Sequence, residues 1–221
     1  MKIHRFFITE SIQPHSAFRS EEKGLVHQLR DVFRMKKGDS VLLFDGTGYE
    51  FEAELELVTR KEAVFTIGQG EIKEQKGTGA HLFLSIIKKD KFELAIEKAT
   101  ELGVEKITPI IAERSQYKSI RPERLQRVIT EAAEQCGRVT IPELTPELTL
   151  EVALEQYSDM VVLDMDGEEG VVGKNILIGP EGGWSEKERK MFKQKGVSLV
   201  SLPFDTLRAE TAVVAVLSRM V

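Results

Sequence analysis

The spacing of apolar residues changes its period once along the chain, between residues 68 and 80. Before that point the pattern is that of strands. Residues 3–8 and Val41-Leu42-Leu43-Phe44 read as two of them. Tyr49, Phe51, Ala53, Leu55 and Leu57 are interleaved with Glu50, Glu52, Glu54 and Glu56. A period of two predicts a half-buried antiparallel strand with an acidic outer face. Asp45-Gly46-Thr47-Gly48 is the hairpin signal before it. Ala63 to Ile67 supplies a further strand, and 21–34 a helix with Leu25, Val26, Leu29, Val32 and Phe33 on one side. Residues 1–70 therefore predict a small β-rich domain.

Gly68 to Gly79, rich in glycine and charge, reads as a linker, with 71–79 as its span between the two domains. From His81 the period shifts. Leu82 to Ile87, Ile107 to Ile111, Met160 to Leu163, Ile176 to Ile178 and Val197 to Leu202 are short apolar runs of the strand kind. Between them lie helical patterns. One starts at a capping Asp90, carries Phe92, Ala95, Ile96, Ala99 and Leu102, and stops at Gly103. Others cover 122–135, 150–157 and 186–195, and the last begins at Thr211. Alternating strands and helices over 80–221 predict an α/β domain with a mostly parallel sheet.

One stretch breaks this grammar. Ile176-Leu177-Ile178 runs into Gly179-Pro180-Glu181-Gly182-Gly183-Trp184, and the chain restarts as a helix at Ser185. Ser185 with Glu188 fits the capping box, in which each side chain satisfies an orphan N–H of the first turn. Three glycines, a proline and an acid in one loop let a backbone approach a small ligand closely. A second such loop runs Leu202-Pro203-Phe204-Asp205-Thr206-Leu207-Arg208-Ala209-Glu210-Thr211-Ala212. In parallel sheets ligands bind outside the carboxyl ends of strands, which is where both loops fall. Neither is a dinucleotide fingerprint or a P-loop. Glu181 or Glu210 can accept hydrogen bonds from ribose hydroxyls. Equally, Glu210 fits a first-turn acid favoured by the helix dipole, with Arg208 as its ion-pair partner. A third candidate is Ala112-Glu113-Arg114-Ser115-Gln116 with the helix end Glu131 to Arg138, where Gln135 and Arg138 can face a ligand or subunit and Cys136 fits a packed thiol.

Composition narrows the classes. The 221 residues are 41% hydrophobic and 30% charged, as in an ordinary globular protein, with room for one large domain or two small ones. The longest apolar runs are too short to span a bilayer, and no signal peptide is read at the start. A single Cys136 excludes an internal disulfide and a cysteine-based metal site, so a cytoplasmic setting is expected. His4, His15, His27 and His81 lack ligand spacing, and no metal is expected. The net charge of −5 argues against a non-specific nucleic-acid coat. Two local basic clusters, within 1–38 and 114–138, suggest a selective anionic partner such as RNA.

Taken in order, these motifs resemble one family across nearly the whole chain. Glu131-Ala132-Ala133-Glu134-Gln135 with Arg138, Ile178 to Gly183 with Ser185 and Glu188, and Leu207-Arg208-Ala209-Glu210-Thr211-Ala212 are similar to motifs of the bacterial 16S rRNA uracil-N3 methyltransferases. His4-Arg5-Phe6-Phe7, Val32-Phe33-Arg34, Phe44-Asp45-Gly46, Lys98 to Val104 and Arg114-Ser115 fit the same pattern. The resemblance implies a PUA-like RNA-binding β-barrel followed by a SPOUT domain whose C-terminal segment forms a trefoil knot, a rare exception to unknotted topology. It implies S-adenosyl-L-methionine as methyl donor, a homodimer through the SPOUT domain, and one uridine of 16S rRNA, in an assembled small ribosomal subunit, as acceptor. The implied donor site comprises Leu163, Ile178, Gly179, Pro180, Glu181, Gly182, Leu202, Pro203, Leu207, Arg208, Glu210, Thr211 and Ala212. Arg114, Arg138 and Arg208 are the candidates for stabilising charge on the uracil, and Arg5, Arg30, Arg34, Lys36 and Lys37 for gripping RNA. The chain departs from the pattern at Pro203 and Asp205, where the family usually carries glycine and arginine. A SPOUT enzyme with another RNA target, or a non-catalytic ribosome-assembly factor, are the other readings.

Overall fold

A computed structural model describes residues 3–73, 77–117, 119–170 and 173–220. The chain divides into two compact units, Met1–Gln75 with Ala133–Thr140, and Lys76–Ala132 with Ile141–Val221.

The first unit holds strands β1 (His4–Phe7), β2 (Ala17–Ser20), β3 (Ser40–Phe44), β4 (Tyr49–Val58) and β5 (Ala63–Ile72), in the order β1-β3-β4-β5-β2. Only β1 and β3 run parallel; the other pairs are antiparallel. Its core is Phe6, Leu29, Leu43, Leu55 and Phe65, all essentially inaccessible to solvent. The expected helix over 21–34 is shorter and not uniform: α1 (Lys23–His27) widens into a π-helical turn over Gln28–Val32. It ends at Arg34 in the left-handed region, φ 53°. Strand β2, which the sequence pattern does not predict, is a four-residue edge strand with a single buried residue, so it carries too little periodicity to show.

Two expectations are corrected here. Residues Gly68 to Ile72, expected in the linker, belong to β5, and Gly70 leaves the space that the Phe51 ring fills: a Cβ there would lie 2.5 Å from the ring. Residues 74–76 of the expected linker lie outside the described residues. The face of glutamates on β4 is not wholly outside. Register shifts along the β4–β5 pair break the alternation, and Glu50 is 4% exposed. Its burial is compensated by Arg5, and by Lys73 at 3.4 Å. Within this unit Arg5 also donates to the Gly137 carbonyl at 3.0 Å, and Phe7 N–H donates to Glu134 at 2.9 Å.

The second unit is a parallel sheet. Its strands are β6 (His81–Ser85), β7 (Lys106–Ile111), β8 (Glu143–Leu144), β9 (Leu148–Thr149), β10 (Met160–Glu169), β11 (Asn175–Ile178) and β12 (Ser198–Ser201). The order is β12-β10-β11-β6-β7-β8, with β9 also on β7, and every pairing is parallel. Helices α2 (Lys89–Glu101), α3 (Pro122–Cys136), α4 (Leu150–Gln156) and α5 (Glu186–Lys195) lie in connections between parallel strands, and α6 (Ala209–Leu217) follows the last strand. One core joins α2, α3 and α6 around Leu82, Leu84, Ile107 and Ile176. The other joins α4 and α5 around Phe83, Leu177 and Trp184. Strand β6, covered on both faces, is buried at all five positions, which explains its unbroken apolar run.

Asp90 does not cap α2. The helix starts two residues earlier, after Lys88, with no side-chain cap; Asp90 sits in the first turn and pairs with Lys88 at 3.5 Å. Its charge favours the helix dipole from there, so the acid remains useful two positions past the cap. Cys136 is exposed rather than packed, because the last turn of α3 presents that edge to solvent.

Candidate functional site

Strand β10 lies between β11 and β12, and all three run the same way. Their carboxyl ends therefore open on one rim. Leu163 on β10 is in register with Ile178 on β11 and with Val200 on β12. The glycine loop leaves β11 just after Ile178 and the Leu202–Arg208 loop leaves β12 just after Ser201, so the two loops start on either side of β10. The expected donor residues thus come from segments far apart in sequence: Ile178 at the end of β11, Leu163 within β10 and in register with it, Gly179, Pro180, Glu181 and Gly182 on one loop, Leu202, Pro203 and Leu207 on the other. Arg208, Glu210, Thr211 and Ala212 enter helix α6.

The glycine loop is held rigidly. Gly183 N–H donates to the Pro180 carbonyl at 2.8 Å, closing a tight turn, and Gly183 has φ 66°. At Gly179 a Cβ would lie 2.9 Å from the Trp184 indole, so only glycine lets the strand end pass over that ring. Trp184 is 4% exposed, packs edge-on against Phe192, and turns its N–H toward the Leu163 carbonyl at 3.4 Å. The capping box forms as the sequence predicts: Ser185 Oγ accepts from Glu188 N–H at 3.2 Å and Glu188 Oε2 accepts from Ser185 N–H at 2.8 Å.

That box has a third member. Ser185 Oγ donates to Glu113 Oε2 at 2.8 Å, and Glu188 Oε1 accepts from Glu113 N–H at 2.8 Å. The neighbouring Arg114 donates to the Gly182 carbonyl at 2.8 Å. The segment after β7 is thereby latched to the glycine loop at Gly182 and to the helix cap that follows it. Sequence reasoning misses the roles of Glu113 and Trp184. For Trp184 a signal exists, the chain's single tryptophan next to three glycines. For Glu113 there is none, since its partners are more than seventy residues away.

Glu210 is 8% exposed in the first turn of α6. Its partner is Lys91 of α2 at 3.5 Å, not Arg208 as expected. Arg208 supplies the backbone cap position of α6; its side chain is exposed and makes no ion pair among the described residues. Pro203, Phe204, Asp205 and Thr206 are all exposed, and Phe204 N–H folds back onto the Leu202 carbonyl at 2.7 Å. Arg138 is buried in the 133–140 segment of the first unit, with Nε donating to Thr140 at 3.2 Å.

The five cations expected to grip RNA differ in availability. Arg5 is engaged by Glu50 and the Gly137 carbonyl and lies over the Phe44 ring, 5.7 Å from its centre. Arg30 makes two hydrogen bonds to Asp31, at 2.8 and 2.7 Å, and with His27 holds that carboxyl down to about 2. Lys37 pairs with Glu56 at 3.0 Å. Arg34 and Lys36 are exposed and have no ion pair among the described residues. Beside Arg34, Phe33 is 39% exposed and lies tilted against His4, ring centres 4.0 Å apart. Among the described residues no group of three or more metal-ligating side chains occurs, and no helix is long and apolar enough to cross a membrane.

Comparison with known proteins agrees with this geometry. Residues 74–221 match the RNA methyltransferase domain family, and residues 26–68 match the RNA methyltransferase PUA domain. A ribosomal RNA small subunit methyltransferase E of Helicobacter pylori is 31% identical, over 93% of this chain and 94% of that protein. One from Rickettsia conorii is 29% identical, over 100% of this chain and 96% of that protein. The crystal structure of such an enzyme from Neisseria gonorrhoeae, bound to S-adenosyl methionine, superposes with a TM-score of 0.88 at 25% identity, covering 99% of this chain and 97% of that one. The chain belongs to the RNA methyltransferase family.

Proposed function

We propose that this protein transfers a methyl group from S-adenosyl-L-methionine to N3 of a uridine in 16S rRNA of the small ribosomal subunit. The observation that carries the reading is the set of three adjacent parallel strands β12-β10-β11, from whose outer two the latched glycine loop and the Leu202–Arg208 loop leave on the same side of the sheet. The residues present fit such a donor. Leu163, Ile178, Leu202 and Leu207 offer apolar surface, glycines expose main-chain groups for an adenine edge, and Glu210 is a carboxylate for ribose hydroxyls. When bound, the donor supplies an electrophilic methyl on a sulfonium.

The protein's part is positioning and electrostatics. N3 of uracil must lose its proton before or during attack, and the resulting charge spreads over O2 and O4. Arg208, whose side chain makes no ion pair among the described residues, and Arg114, anchored on the Gly182 carbonyl, are the first two candidates for stabilising that charge where it develops. Arg138 is the third candidate. Glu181, exposed on the loop, and Glu210 are the rim carboxylates available as proton acceptors, and solvent hydroxide serves equally. Holding acceptor, methyl and sulfur in line supplies much of the rate.

The reading carries further parts: a PUA-like barrel built on β1–β5 that orients RNA through its phosphates, a trefoil-knotted SPOUT domain in 80–221, a homodimer through that domain, and action in the cytoplasm. A different RNA target is the second reading, favoured by the exposed Pro203–Asp205 segment with its negative charge on the rim.

The test is methyl transfer from labelled S-adenosyl-L-methionine to small subunits lacking the modification, with the modified nucleotide mapped. Incorporation at N3 of one uridine is expected; incorporation elsewhere selects the second reading. No incorporation by folded protein removes the enzyme. Glu210→Ala should weaken donor binding by calorimetry without unfolding the protein, and normal binding would take Glu210 out of the site.

A further inference from the structure

Outside the donor rim the second unit has a cleft of about 270 Å³. Its floor is Ile86, Phe92 and Leu125, and its walls carry Tyr117, Arg121 and Glu93. Ile86 follows the end of β6, and Tyr117 to Arg121 lie between the end of β7 and the start of α3. The cleft therefore opens at the carboxyl ends of two further strands of the same sheet. Helix α2, which lines the cleft with Phe92 and Glu93, also carries Lys91, the partner of Glu210 in the first turn of α6.

Three features of the cleft suit one chemistry. Tyr117 is 46% exposed, so its ring offers a face to a planar group. Arg121 is exposed and has no ion pair among the described residues, so a guanidinium fork is available to an anion. Glu93 Oε2 accepts from Arg124, at 2.9 and 3.2 Å, while its buried Oε1 has no hydrogen-bond partner among the described residues and only an ion pair with Lys89 at 3.8 Å. A buried acceptor without a donor is costly, and a hydroxyl entering the cleft would relieve it. An aromatic face, a cation and an acceptor for a hydroxyl are what a nucleotide's base, phosphate and ribose require, and the 2′-hydroxyl is what separates RNA from DNA.

We propose that this cleft seats one ribonucleotide of the RNA substrate, with its base on Tyr117, its phosphate on Arg121 and a ribose hydroxyl on Glu93. The proposal rests on the reading of the protein as an RNA methyltransferase and adds where the acceptor strand is held.

The experiment is calorimetric titration of the full chain with uridine 5′-monophosphate, its 2′-deoxy form and inorganic phosphate. The same series is run on Tyr117→Ala and Arg121→Ala, two exposed positions whose truncation leaves the core intact. The ribonucleotide should bind the parent protein, and each variant should bind it about tenfold more weakly, the equivalent of about 1.4 kcal/mol. The deoxy form and phosphate should also bind the parent more weakly. Donor affinity of both variants should be unchanged. Phosphate binding as tightly as the nucleotide would reduce the cleft to an anion site and overturn the proposal. So would equal binding of the deoxy form, variants indistinguishable from the parent, or no nucleotide binding at roughly 10 mM. If the titrations behave as expected while small subunits gain no methyl, the enzyme reading fails and the cleft stands. Methyl transfer with failed titrations would keep the enzyme and remove the nucleotide from the cleft.

Discussion

Ser185 Oγ donates to Glu113 Oε2 at 2.8 Å across 72 residues of sequence, and through this bond the cap of α5 and the loop after β7 become one structure. Both groups sit against the glycine loop, whose Gly182 carbonyl is held by Arg114. Glu113→Ala leaves the Ser185 hydroxyl, 4% exposed, without its acceptor, at a cost of about 1–3 kcal/mol. Donor affinity should fall about tenfold or more as the loop loosens, with Glu113→Gln restoring much of it because an amide oxygen still accepts. Thermal unfolding together with donor calorimetry checks this. A lowered melting temperature with unchanged donor affinity would confine the latch to stability.

The three glycines of the loop should respond differently to alanine. Gly179→Ala drives a Cβ to within 2.9 Å of an indole that is itself backed by Phe192, so the ring has nowhere to go. A loss of about 1–3 kcal/mol is expected, with donor binding impaired. Gly183→Ala meets no atom within 4 Å but must adopt φ 66°, costing about 1–2 kcal/mol. Gly182→Ala meets only the Arg114 side chain, at 3.5 Å, and should be mildest. Melting temperatures that rank Gly182→Ala as the most damaging would contradict this geometry.

Arg34 and Arg5 separate RNA contact from folding. Arg34→Ala should weaken RNA binding, lower the dependence of log affinity on log salt by about 1, and leave stability and donor binding alone. Arg5→Ala instead leaves Glu50 buried with only Lys73 beside it and should cost about 3 kcal/mol of stability. Salt-dependent RNA titrations beside urea melts distinguish the two. An Arg5→Ala protein as stable as the parent would reverse the assignment.

His81 makes stability depend on pH. Its ring stacks on Phe83 at 3.8 Å between centres and bonds Thr108 Oγ1 at 2.7 Å, with Tyr157 edge-on. Burial, then the charge of Lys106, push its pKa from 6.5 down to about 4, against a small opposing pull from Glu143. Between those values the unfolded chain binds the proton and the folded one does not, so stability rises with pH across that window. Stability is complete above about pH 6.5 and is lost progressively toward pH 4. The melting temperature should therefore drop between pH 7 and pH 5, and His81→Phe, which cannot titrate, should drop less. Equal pH profiles would exclude His81 as the cause.

Local chemistry is legible in the sequence wherever one segment can satisfy itself. The Ser185–Glu188 capping box, the α5 boundaries at Glu186 and Lys195, and the buried run of β6 depend on neighbours a few residues away, and all three form as expected. The α/β grammar follows from the same short-range periodicity, because a helix between two strands all but dictates a parallel sheet. Tertiary structure decides what each charge does. Glu210 meets Lys91 rather than Arg208, Arg5 turns inward to a buried glutamate, and Glu113 closes a ring with Ser185 and Glu188. None of these follows from spacing, since ion pairs and buried hydrogen bonds are chosen by which strands lie side by side. The order β12-β10-β11 brings two loops and Leu163 to one rim, and sequence order alone contains no trace of that adjacency.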